Sequence, residues 1–99
     1  MNAVENQVRE LVEVELSELP QFRSTHDGWA VIQKELEEAK ESLCSVEMTL
    51  EQAWGAIKDN RPARFELVLA GLTAQNAACE AIQVAAMCRK FLEMGEEKK

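Results

Sequence analysis

A chain of 99 residues, 46% apolar and 29% charged, is long enough for one domain with a modest core and too short for two. Its formal charge of −7, from 18 acidic against 11 basic residues, argues against binding a nucleic acid polymer or docking on an anionic membrane, since both need a cationic surface. Four glycines and two prolines are too few for a turn-rich β-sandwich or a disordered linker.

No period-two alternation of β-branched residues persists, so the chain reads as all-α over a single domain, 1–99. The first helix is expected at about 3–19, where Val4, Val8, Leu11, Val12 and Leu16 recur near helical spacing and Pro20 ends the run. After a short connector, Ser24 or Thr25 can cap a second helix over about 27–58, with Asp27 favourably placed for the helix dipole. In it Ile32, Leu36, Ala39, Leu43, Val46, Leu50, Ala53 and Ile57 alternate steps of four and three, which is a heptad seam and implies one unbroken helix. Asp59, Asn60, Arg61 and Pro62 form the strong breaker, with Pro62 suited to the first turn of a third helix over about 62–93. A polar tail, 95–99, follows.

Two long helices joined by a tight turn make an antiparallel hairpin, and the short first helix can cover only about half of it. The third helix is apolar almost all round from Ala77 to Cys88, so more than one neighbour must cover it. Self-association into a homodimer or homotetramer with a four-helix-type core is the simplest remedy. Between Leu67 and Cys88 Glu80 is the only charged residue. Thr73, Gln75, Asn76 and Gln83 nevertheless make a buried helix the better reading than a membrane span. Cys44, Cys79 and Cys88 form no CxxC pair and no signal peptide opens the chain, which points to a reducing cytoplasm. Cys79 and Cys88 read as buried small hydrophobes, and Trp29, Trp54 and the methionines as core or interface residues.

Glutamates supply the candidate chemistry. Glu35 and Glu38 share a face beside the seam, continued by Ser42, Ser45 and Thr49, while Glu37 and Glu41 lie on the solvated side with Lys34. Glu80 and Gln83 repeat the three-residue spacing in the third helix, with Asn76 one turn before. With the turn near position 60, antiparallel partners have numbers summing to about 121, so Glu35, Glu38, Glu80 and Gln83 are expected at one level of the hairpin. Three carboxylates and an amide oxygen are an oxygen-only donor set, suited to Mg²⁺ or Mn²⁺. His26, Arg89 and Lys90 lie toward the same end, where cations beside the metal would share the charge of a triphosphate. Plainer roles suit the same residues: Glu80 as the ion-pair partner of Arg89 or of another subunit, His26 as a capping residue.

The run FRSTHDGWAVI from Phe22 to Ile32, followed by Glu35-Leu36-Glu37-Glu38, resembles the core of MazG-like nucleotide pyrophosphohydrolases. Its likeness is to the small versions found in phages and prophages of Gram-positive bacteria, and Glu80 to Met87 resembles the second half of their motif. The resemblance covers about 22–91 and implies an all-α, Mg²⁺-dependent enzyme that cleaves nucleoside triphosphates to monophosphate and pyrophosphate. It assigns Glu35 and Glu38 to the family's EExxE motif as metal ligands and catalytic carboxylates. Glu80 takes the first position of its ExxD, and His26, Trp29, Arg89 and Lys90 would meet the nucleotide. Lys34 stands where that motif has its leading glutamate, and Gln83 where it has aspartate, one anionic ligand fewer. A non-catalytic reading stands beside this one, in which the helical protein sequesters a nucleotide or inhibits a host protein. A third reading is a structural hairpin with no ligand.

Overall fold

Side chains punctuate the chain much as the sequence suggests. In the computed structural model, which describes residues 2–95, they delimit α1 (Ala3–Glu18), α2 (Thr25–Lys58) and α3 (Arg64–Gly95), with no strand among the described residues. Asn2 opens α1 through a capping box. Its side chain accepts the Glu5 N–H at 2.8 Å, and the Glu5 carboxylate accepts the Asn2 N–H at 3.0 Å. Ser24 caps α2, its Oγ accepting the Asp27 N–H at 3.0 Å, while the Asp27 carboxylate accepts the Arg23 N–H at 3.2 Å. The end of α2 is a Schellman motif. Asn60 turns left-handed at φ 58°, the Arg61 N–H donates to the Ala56 carbonyl at 2.8 Å, and the Asn60 N–H donates to that of Ile57 at 3.0 Å. Pro62 falls just outside α3 rather than in its first turn. The Ala63 carbonyl accepts the Leu67 N–H at 3.0 Å, so helical bonding begins after the proline. Beyond Gly95 the expected polar tail lies outside the described residues.

The three helices form one layer. α3 lies in the middle, packed on α2 along one side and on α1 along another, and the backbones of α1 and α2 do not pack on each other. This is why α3 can be apolar nearly all round. The radius of gyration is 17.5 Å, against about 13 Å for a compact chain of this length, and the extents are 60 × 30 × 19 Å.

Alanine dominates the core. Ala39, Ala53 and Ala56 of α2 and Ala70 and Ala77 of α3 are buried, while Leu16, Ala86, Met87 and Met94 are buried toward the open end. The heptad seam is split. Ala39, Val46 and Ala53 turn toward α3, whereas Leu36, Leu43, Leu50 and Ile57 stay exposed, because small residues at the contact let the two axes approach and leave the next stripe outside. Cys79 and Cys88 are exposed rather than buried, as is Cys44, since a single layer has flanks but little interior. Both tryptophans are exposed, and of the described methionines Met87 and Met94 are buried while Met48 is not. At the open end the connector folds back so that Phe22 and Phe91 close over Gly28. A Cβ there would stand 2.8 Å from one ring and 2.9 Å from the other. No helix among the described residues is long and apolar enough to cross a membrane.

Candidate functional site

On one face of the layer, α2 and α3 bound a polar groove. The hairpin register places it: Ser42 Oγ donates to Glu80 Oε1 at 2.6 Å across the interface, and Asn76 Nδ2 donates to Ser42 Oγ at 3.5 Å. The pair Ser42 and Glu80 agrees with the summing rule for antiparallel partners within one residue. Ser42 can sit this close because the small interface residues bring the helices together, and its hydroxyl satisfies one oxygen of a half-buried carboxylate. Glu38, Glu41, Ser42, Ser45, Thr73, Asn76 and Glu80 line about 380 Å³ of space there.

Glu35 sits one turn toward the open end of the hairpin. Partial burial holds its carboxyl above the usual carboxylate range, the charges of Glu38, Glu80 and Glu15 push it further up, and Lys34 opposes them. Glu35 therefore feels both of the carboxylates expected with it, Glu38 on its own helix and Glu80 on α3. Gln83 is placed differently. It lines a separate groove with Leu11, Val14, Glu15, Cys79 and Ile82, turned toward α1. Among the described residues no three carboxylate, histidine or thiol side chains are drawn together as a ready metal cluster.

The other candidates spread over the open end. His26 is exposed in the first turn of α2. Trp29 is exposed and, with Ile32, Cys88, Phe91 and Leu92, lines an apolar cleft of about 260 Å³. Arg89 pairs with Glu13 of α1, and Lys90 approaches Glu93 at 3.9 Å on its own helix. Arg89 is thus not the partner of Glu80. The second and third helices supply the carboxylates, while the first helix engages the arginine.

Sequence reasoning missed Glu41 and Thr73 as groove residues. Thr73 could have been found, since it lies seven residues before Glu80 on the same stripe of α3. Glu41 could also have been found, being three residues after Glu38, but its position on the far side of the seam suggested solvent alone. No protein-family model, no curated protein and no solved structure matches this chain.

Proposed function

We propose that the chain is a MazG-like, Mg²⁺- or Mn²⁺-dependent protein that binds nucleoside triphosphates and hydrolyses them to monophosphate and pyrophosphate. We place it in a bacterial cytoplasm, phage- or prophage-encoded, working as a homodimer or homotetramer assembled into a four-helix-type bundle. The observation that supports this reading is that Glu38 and Glu80, from two different helices, line one groove with hydroxyl and amide groups and that both act on the nearby carboxyl of Glu35. The donor set suits a hard divalent cation, because every candidate is an oxygen and their mutual repulsion is what such a cation relieves.

Glu38 and Glu80 would hold the metal, with Glu35 the third carboxylate and Gln83 a neighbour on the α1 side. When bound, Mg²⁺ supplies charge neutralisation for the phosphates and a more acidic coordinated water. Glu35, its carboxyl raised by burial and then by its acidic neighbours, is suited to accept the proton of an attacking water, and Glu38 to orient it. His26, Trp29, Arg89 and Lys90 would receive base and phosphates at the open end. Arg89 would first exchange Glu13 for phosphate, a small cost for an exposed pair.

The test is pyrophosphate release across the ribo- and deoxyribonucleoside triphosphates with Mg²⁺ and with Mn²⁺, comparing the native chain with Glu38→Gln. Release by the native chain that falls by about a hundredfold or more in the variant is expected, since Glu38 would both hold the metal and orient the water that Glu35 deprotonates. No release from any triphosphate would refute hydrolysis. A second reading, binding without turnover or inhibition of a host protein, is favoured by Gln83 facing α1 rather than the groove. Nucleotide-dependent thermal stabilisation with no product would select it.

A further inference from the structure

The face opposite the groove carries a different pattern. Trp29, Leu36, Leu43, Leu50 and Ile57 recur every seven residues along the whole of α2, and their exposure runs from 36% at Leu36 to 60% at Trp29. Beside this ridge, α3 presents a shelf of exposed small residues, Gly71, Ala74, Ala78, Ala81 and Ala85. Ridge and shelf form a continuous apolar surface along the hairpin, rimmed by charged residues, of the kind that marks an interaction face.

Both features are symmetric about one point. In α2 the ridge is centred on Leu43, so an antiparallel second copy sets Trp29 against Ile57, Leu36 against Leu50 and Leu43 against itself. The line flanking the ridge carries Lys40 and Glu47, which the same pairing brings opposite each other, twice, within one residue's rise of about 1.5 Å. Lys40 has only an exposed contact with Glu37 at 3.8 Å to give up. In α3 the shelf is centred on Ala78, with Gly71 and Ala85 equidistant from it. The register fixed by Ser42 and Glu80 puts position 78 level with position 44. The two centres therefore fall on a single axis, although ridge and shelf belong to different helices.

We infer that this face is the interface of a twofold homodimer. α2 packs antiparallel on its copy ridge to ridge with Lys40 opposite Glu47, α3 approaches its copy at the alanine shelf, and the axis passes between Leu43 and Ala78. The occupant is a second copy because the seven-residue repeat demands a helical partner of matching pitch, and the flanking charges complement themselves under this symmetry alone. The acidic groove lies on the outer face and stays open. The inference rests on the assembly part of the proposed function; of the residues given to its chemistry it shares Trp29 alone, at the end of the ridge.

Sedimentation equilibrium of the full chain at tens of micromolar tests it. The expected mass is twice the 11.1 kDa of one chain. Leu43→Glu, and separately Ala78→Glu, each give the single-chain mass with helicity unchanged, since both residues are exposed in the monomer. Lys40→Glu weakens the dimer on the order of tenfold, by setting like charges opposite twice, and adding Glu47→Lys restores it. A native chain of single mass overturns both the interface and the assembly. A native dimer unmoved by Leu43→Glu and Ala78→Glu overturns this interface and leaves assembly through another face. Failure of Glu47→Lys to rescue overturns the antiparallel pairing. Nucleotide-dependent stabilisation of Leu43→Glu reports on the groove separately.

Discussion

At the scale of single residues, Glu35 shows how placement sets chemistry. Its carboxyl is held up by burial and then by Glu38, Glu80 and Glu15, against the pull of Lys34. A raised carboxyl favours folding in its protonated form. Its contribution to stability is therefore complete below the unfolded value near 4.5 and is lost as pH rises through the folded value. Glu35→Gln should accordingly stabilise the chain at neutral pH by about 0.5 kcal/mol, the ordinary size of a charge contact open to solvent. The gain should shrink toward nothing as pH falls to about 4.5. Thermal melts of both chains across that range would show it, and Mg²⁺ should erase the difference at neutral pH if the carboxylates bind it. An equal gain at every pH would mean the site is packing rather than charge. The carboxylates were legible in the sequence because their spacing and the hairpin register are both one-dimensional facts. The orientation of Gln83 was not, because it depends on where α1 docks, and nothing in the spacing of α1 names its partner.

At the scale of elements, the turn between α2 and α3 fixes everything that follows. Asn60 accepts the left-handed conformation at a cost that glycine avoids and that a β-carbon without a polar group bears in full. Asn60→Gly should gain about 0.5 kcal/mol and Asn60→Ala lose about 1 kcal/mol, read from urea midpoints at constant slope. If both variants matched the native chain, the turn would not be setting the register. The sequence located this breaker and the continuity of α2, since a heptad without interruption over that length leaves no other reading. It misjudged the inward face. Eight seam residues looked equivalent by period, yet a hairpin contact between alanines is narrow enough to admit Ala39, Val46 and Ala53 and leave the leucines outside. Period gives the stripe, and side-chain volume decides which part of it meets the neighbour.

At the scale of the whole molecule, the two faces of the α2–α3 hairpin differ in character. One carries the carboxylate groove and the other the apolar ridge, so substitutions in the groove and at the ridge residues other than Trp29 can be read without disturbing each other. Composition announced an all-α chain in need of additional cover, but a slab 19 Å thick cannot be read from composition, because thickness depends on how α1 and α2 flank α3. The Asn60 turn and the Phe22, Gly28 and Phe91 closure stand at opposite ends of the hairpin, and this gives the chain a temporal order. Contacts next to the turn close short loops and those at the open end close the longest, so folding should begin at the turn and zip outward. Asn60→Ala should then slow refolding. Gly28→Ala gains about 1 kcal/mol of helix propensity but must displace two aromatic rings, a larger cost of about 1–3 kcal/mol. Its loss should appear almost wholly as faster unfolding, with the refolding rate unchanged in stopped-flow traces. The reverse assignment would mean that the aromatic end is the nucleus and the turn merely its last fastening.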